Sequence, residues 1–278
     1  MISIKGSPIE KSTLSASFPE SGIERELIDL LNSSQKMFDY LSLDQLRFEL
    51  DLRKHIIQAA IDLYHTRFSF KIFRESECSS SYWERTDEGG FQLKSGIKPS
   101  EAIRDIYKNS REYGTECATA IVIVYYKALA DLLPEDLFNQ LFSEIYLMNW
   151  QHLDSDLGIR SERDLTDFFP GDCRYFKNPD VNPITPEWQG ENAIDLSSGL
   201  YYGHGIGLKT ADQIIEVLNR ERKSDAQVSA NLLNSATRPN FNYLADRYYQ
   251  FTAQNLVSSR NQAKVWNCFG YPCITPMQ

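Results

Sequence analysis

Residues 116–133 read ECATAIVIVYYKALADLL, and the conformation given to this stretch decides the fold. Its middle, Ile121 to Tyr126, is rich in β-branched and aromatic residues, a composition that suits a strand. Its length, its alanines and leucines, and the tail Lys127-Ala-Leu-Ala-Asp-Leu-Leu favour a helix. Propensity alone leaves the two open, and we read a buried helix. Gly114 is the break before it and Cys117 sits at its first turn.

Upstream, Ser42-Leu43-Asp44-Gln45 has the pattern of a capping box. Leu43, Leu46, Leu50, Ile57, Ile61 and Tyr64 follow at helical spacing, with Asp51, Arg53, Lys54 and Asp62 between them, which predicts an amphipathic helix of about six turns. Ser81–Arg85 and Phe91–Lys94 flank Asp87-Glu88-Gly89-Gly90 and read as a hairpin. Pro99 or Ser100 opens a short helix through Tyr107. Downstream, Pro134 starts another helix. Short strands are then expected at Cys173–Phe176, Asn192–Leu196 and Tyr201–His204. A second capping box, Thr210-Ala211-Asp212-Gln213, opens a helix with Ile214, Val217 and Leu218 inward, and the tail reads as helical up to Leu256. Helices first and antiparallel strands after is the α+β pattern. No internal repeat is visible. Residues 1–37 begin rich in Ser, Pro, Lys and Glu and read as a flexible arm, 38–240 as one catalytic domain, and 241–278 as a carboxy-terminal extension packed on or beside it.

The 29 basic and 38 acidic residues leave a formal charge of −9, which gives no general attraction for phosphate backbones, so no nucleic-acid partner is expected. No stretch approaches 18 uncharged apolar residues, so no membrane span is expected either. The first residues lack the apolar run of a secretory signal. Five cysteines at irregular spacings suit free thiols in a reducing compartment better than a disulfide framework. No cysteine and histidine cluster has metal-ligand spacing, so neither metal nor cofactor is expected; Cys268 and Cys273 read as ordinary tail residues.

Cys117 at a helix amino terminus has two advantages as a nucleophile. Unpaired N–H groups and positive potential there stabilise a thiolate, and the same N–H groups can donate to an oxyanion on an attacked carbonyl. The plainer reading is a small apolar residue at the start of a core helix. Glu116 precedes it directly. Glu191, in Trp188-Gln189-Gly190-Glu191-Asn192, is a carboxylate beside a tryptophan, where desolvation raises a pKa towards that of a general base; alone it would read as a loop acid. His204, between Gly203 and Gly205, fits a base, an orienting group or a plain hydrogen-bonded histidine.

The segments FDYLSLDQLRFELDLRKHIIQAA (38–60), KPSEAIRDI (98–106), ECATAIVIVYYKALAD (116–131), GDCRYFKNP (171–179), WQGEN (188–192) and YGHGIG (202–207) closely resemble the spore-coat transglutaminases, the small protein-glutamine γ-glutamyltransferases of endospore-forming bacteria. The likeness runs in unbroken order from about Phe38 to Arg238. It implies a papain-like core of the NlpC/P60 type, with the nucleophile helix buried against an antiparallel sheet and extra helices around it. It also implies a calcium-independent reaction through a thioester that cross-links proteins bearing accessible Gln and Lys, coat proteins in a sporulating cell. By motif, Cys117 matches the nucleophile, Glu191 its carboxylate partner and Glu116 a second carboxylate able to substitute in part, with His204 close by. Trp150, Tyr175 and Trp188 would wall a hydrophobic tunnel, Asn192 would contact substrate, and Gln189 stands where some members carry a basic residue. The expected enzyme is a monomer made without a signal peptide and deposited on the spore coat. Two rivals stay open: an NlpC/P60 cysteine peptidase or amidase acting on cell-wall peptides, which would need a clear histidine base, and a non-catalytic coat scaffold whose thiol is structural.

Overall fold

The computed structural model describes residues 1–151 and 153–269, with 11, 15 and 256–269 as backbone. The chain opens with strands β1 (Ile2–Ile4) and β2 (Ser7–Pro8), helices α1 (Lys11–Ser17) and α2 (Ile23–Ser33), and β3 (Phe38–Tyr40), which returns parallel to β1. These first residues are a folded layer, and the flexible arm expected from their composition is corrected. Ile2, Leu14, Leu27, Ile28 and Leu31 are buried in one cluster with Leu46, Leu50 and Phe169 from the rest of the chain. Ile23, Leu27, Ile28 and Leu31 carry helical spacing along α2, a signal that a reading by composition passes over.

Helix α3 (Leu43–His65) starts where the capping pattern placed it. Ser42 accepts from the Gln45 N–H, and Gln45 in turn accepts from the N–H of Leu41, one residue earlier than the usual reciprocal partner. The buried stripe, Leu46, Leu52, Ile56, Ala59, Ala60 and Leu63, lies one residue out of phase with the expected one in the second half, and Tyr64 is exposed. The reason is that Gln45, Glu49 and Arg53 are buried too. Arg53 pairs with Glu49 and with Asp172, both at 2.9 Å, tying α3 to the entry of a later strand.

Next come β4 (Ser69–Phe70), the hairpin β5 (Trp83–Arg85) and β6 (Phe91–Leu93), α4 (Pro99–Lys108), and β7 (Gly114–Thr115), which pairs with β4. The deciding stretch is a helix, α5 (Cys117–Leu132), buried from Ala118 through Tyr126 and again at Ala128, Leu129 and Ala130. A helix apolar on every side is stable only when covered on every side. It packs against α3, α4 and the sheet described below, and this burial overrides the β propensity of Ile121–Tyr126. Then follow α6 (Glu135–Leu141) and β8 (Tyr146–Leu147).

The second half supplies β9 (Arg160–Arg163), β10 (Cys173–Lys177), β11 (Gly190–Asp195), β12 (Leu200–Gly203), β13 (Gly207–Thr210), α7 (Ala211–Arg220), β14 (Asn231–Leu232), β15 (Ser235–Arg238) and α8 (Phe241–Phe269). The strands form a sheet in the order β13-β12-β11-β10-β15-β9, with β14 also against β10, and every described pairing in it is antiparallel. Thr210 and Gln213 make the expected reciprocal cap of α7, which buries Ile214 and Leu218. Cys78, Cys117 and Cys173 are free thiols; Cys273 lies outside the described residues. The architecture is mixed α/β, with α5 packed against β11 of the sheet.

Candidate active site

Helix α5 begins at Cys117 because Glu116 is its cap. Glu116 has extended backbone, and its carboxylate accepts the N–H groups of Ala118 at 2.6 Å and Thr119 at 2.7 Å, plus the Thr119 hydroxyl. A carboxylate at this position satisfies groups the first turn would otherwise leave unpaired. It also overturns one expectation. The Ala118 and Thr119 N–H groups are occupied, so they are not free to hold an oxyanion. Thr119 also acts beyond the helix. Its hydroxyl oxygen accepts the N–H of Asn149 at 2.7 Å, fastening the segment that carries Trp150 to the head of the nucleophile helix.

Strand β11 brings Glu191 and Asn192 to Cys117. Glu191 is 3% exposed; the main chain of His204 and the Cys117 thiol are the neighbours that favour its charged form, while Oε1 has no hydrogen-bond partner among the described residues. Gly203, across the sheet, makes room for it, since a Cβ there would lie 2.8 Å from Glu191 Oε1. Asn192 donates to the sulfur through Nδ2 at 3.6 Å, and its main-chain N–H also favours the thiolate. Its Oδ1 faces the buried thiol of Cys173 at 4.0 Å.

The electrostatics differ from those expected of a helix-head thiolate. Burial pushes the Cys117 thiol well up, the charges of Glu191 and Glu116 push it further, and the two Asn192 donors offset only part of this. Burial likewise pushes Glu191 well up, and Glu116 adds to it. Cys117 therefore rests as a thiol, beside a carboxyl group of raised basicity, and the two titrate as a pair.

His204 is 3% exposed and does not turn its ring to the sulfur. Its Nε2–H donates to the Ser69 carbonyl at 3.2 Å, which leaves Nδ1 to accept from the Tyr202 hydroxyl at 3.1 Å. The ring stacks on Phe68 with centroids 4.7 Å apart. Burial lowers its pKa to about 4, so it is neutral at neutral pH. What His204 offers the site is its main chain, which favours the charged form of Glu191.

Cys117 and Glu116 open onto a groove of about 1240 Å³. Trp150 and Tyr175 line it, with Phe70, Ile72 and Ile184 among the apolar surfaces and Gln189 at its edge. Trp188 does not line it: it lies behind Phe70, ring centroids 6.2 Å apart and planes 27° apart. The expectation of Trp188 as a wall is corrected, and Phe70 takes that place. Phe70, Thr119 and Gly203 escaped sequence reasoning. Only Gly203 left a signal, a glycine inside a strand, which marks a close approach. Among the described residues no group of three or more His, Cys, Asp or Glu is placed to hold a metal ion, and no helix is long and apolar enough to cross a membrane.

A sequence model of the family described as protein-glutamine gamma-glutamyltransferase matches residues 1–249. A protein-glutamine gamma-glutamyltransferase of Bacillus mycoides (strain KBAB4) is 45% identical over 220 residues, 79% of each chain. One from Bacillus cereus (strain B4264) is 42% identical over 240 residues, 86% of each. The solved structure of a transglutaminase from Geobacillus stearothermophilus, without its C-terminal extension, is similar with a TM-score of 0.71 and 52% identity, over 74% of this chain and 98% of that one. A thiol and a carboxylate paired at the head of a buried helix thus stand in a chain that belongs to the protein-glutamine γ-glutamyltransferase family.

Proposed function

We propose that the chain joins protein glutamine side chains to lysine amines by ping-pong acyl transfer, with Cys117 as nucleophile and Glu191 as the group that moves protons. The observation that carries this reading is the buried Glu191 carboxyl group acting on the Cys117 thiol, with Cys117 opening on a groove. The sulfur attacks the side-chain carboxamide of a substrate glutamine while its proton passes to Glu191. Asn192 directs Nδ2 at the sulfur and is a source of N–H donors for the oxygen that becomes charged as the tetrahedral intermediate forms. Glu191 then gives its proton to the departing nitrogen, ammonia leaves, and a thioester remains. An incoming lysine amine, in its neutral form, attacks the thioester carbonyl. Glu191 takes its proton and returns it to the sulfur as the isopeptide bond closes.

Glu116 acts from the cap: it holds the turn that carries Cys117 and lies near enough to accept a proton in part when Glu191 is missing. His204 is a positioning residue for Glu191. Every step has a donor and an acceptor among these side chains, so the reaction is proposed to be calcium-independent. A papain-like core of the NlpC/P60 kind, a catalytic unit at 38–240 with an extension at 241–278, a monomeric state and a spore-coat location with coat proteins as substrates all belong to the same proposal, on the likeness of the quoted motifs. The hydrolase reading is weakened by a histidine whose ring nitrogens are both engaged away from the thiol. A scaffold has no use for a groove ending at a nucleophile.

Replacing Cys117 with Ala should abolish incorporation of a fluorescent amine into a glutamine-bearing protein, measured by in-gel fluorescence. Undiminished incorporation by that variant would end the proposal.

A further inference from the structure

The groove that ends at Cys117 has a floor made by one face of the large sheet. Side chains alternate along strands, and Asn192 of β11, Tyr175 and Lys177 of β10, Thr237 of β15, and Ser161 and Arg163 of β9 all line the groove from that face. Tyr175 pairs in register with Asn192, whose amide touches the Cys117 sulfur. Lys177 is the next residue outward on the same face, roughly 7 Å along the strand from Tyr175. Ser235, which pairs with Arg163, lies between the Cys173↔Thr237 and Phe176↔Leu232 pairings, so Arg163 stands two strands across from the Cys173–Phe176 stretch, roughly 10 Å away.

Both cations are exposed and neither makes an ion pair among the described residues. They stand out in a chain of net charge −9, whose general field disfavours acidic substrates. The three carboxylates that line the groove lie off this face, and that of Glu116 is engaged in capping α5. Glu187 is on the turn before β11, and Asp164 follows β9 and also borders a second, smaller cavity. A lysine substrate carries its own cation and is repelled by such a floor. The ligand that gains from it is the glutamine substrate.

We propose that Lys177 and Arg163 form a cationic shelf that selects glutamine substrates bearing Asp or Glu within about four residues of the reacting glutamine, the reach set by roughly 3.3 Å per extended residue. The proposal rests on the acyl-transfer reading and names the chemistry of its donor substrate. Two exposed pairs of this kind together give about threefold to tenfold selectivity.

The test uses three peptides with one central glutamine flanked by Glu, by neutral residues or by Arg, the last avoiding a second reactive amine. Affinity is measured by fluorescence anisotropy on Cys117→Ala, and kcat/KM on the intact enzyme with one common amine. The expected order is acidic, neutral, basic in both readouts. The acidic-to-neutral ratio should be at least about threefold at low salt, should shrink as salt rises, and should fall to about one in the Lys177→Gln, Arg163→Gln double variant. An acidic-to-neutral ratio of one in the anisotropy measurement, or a ratio the double variant leaves intact, overturns the shelf. Selective binding without turnover of any peptide would uphold the shelf and contradict acyl transfer.

Discussion

Glu191 makes ionisation of Cys117 unfavourable, because the sulfur is withdrawn from water and faces the carboxylate charge. The pKa of Glu191 is held up by its own burial and by Glu116, with the Cys117 thiol acting the other way. A nucleophile built this way is activated by its substrate, when the proton has somewhere to go. The sign of the effect can be tested. Glu191→Gln removes a negative neighbour, so the Cys117 thiol should ionise at lower pH, and the midpoint of its pH profile for iodoacetamide alkylation should shift down. Amine incorporation should nevertheless fall, by about 10²–10⁴ in kcat for loss of a proton-transfer group, less if Glu116 substitutes. A midpoint that moves up, or full activity, would contradict the pairing. At this scale the sequence shows the chemistry-bearing residues well and their roles less well. WQGEN and ECATA place a carboxylate and a thiol in separate segments, and only the β11 register brings them together. The ring partners of His204, Ser69 and Tyr202, lie on β4 and β12, and nothing in the YGHG motif reveals the first of them.

Helix α5 depends on a cap that does two jobs. Glu116 satisfies two first-turn N–H groups and the Thr119 hydroxyl, and Thr119 in turn fastens the Trp150 segment. Glu116→Ala should lower unfolding free energy by about 1–2 kcal/mol, the cost of losing a helix cap, measured by urea denaturation, while Glu116→Asp should recover part of it. An alanine variant as stable as the parent would show that the cap is not made. Element boundaries were legible where local chemistry sets them. Ser42, Pro99 and Thr210 each mark a helix start that side-chain or ring geometry enforces. The face of α3 was less legible, because the buried Glu49–Arg53–Asp172 pairs put polar residues where a hydrophobic period expects none. Strands β9, β13 and β15 have four residues each and gain their order from neighbours, so no internal pattern announces them.

Across the whole molecule, the amino-terminal layer covers the side of α3 that the main core leaves bare. Leu46 and Leu50 of α3 and Phe169 pack against Leu27, Ile28, Leu31, Leu14 and Ile2. Uncovering buried aliphatic side chains costs about 2–5 kcal/mol each, and a typical domain has only about 5–15 kcal/mol in total. A chain shortened to residues 38–278 should therefore fail to unfold cooperatively, as followed by near-ultraviolet circular dichroism, with exposed apolar surface that binds a hydrophobic dye. A melting temperature equal to the full chain's would restore the flexible arm. Composition misled here because charge and serine mark the exposed positions of short amphipathic helices as readily as they mark disorder. The placing of the two long helices α3 and α5 before the strands of the main antiparallel sheet was legible. The short strands β1–β8 interleaved with the helices of the first half, and α7 between β13 and β14, break the simple order.

Acyl transfer by this route requires a covalent bond between Cys117 and a former glutamine side chain. The direct measurement is intact-protein and peptide mass spectrometry after incubation with a glutamine peptide, without any amine, followed by an acid quench. An adduct of peptide mass less ammonia should appear on the tryptic fragment containing Cys117, disappear when a lysine analogue is added, and be absent from Cys117→Ala. An adduct on Cys78 or Cys173, or amine incorporation that proceeds with no adduct on any thiol under single-turnover conditions, would contradict it.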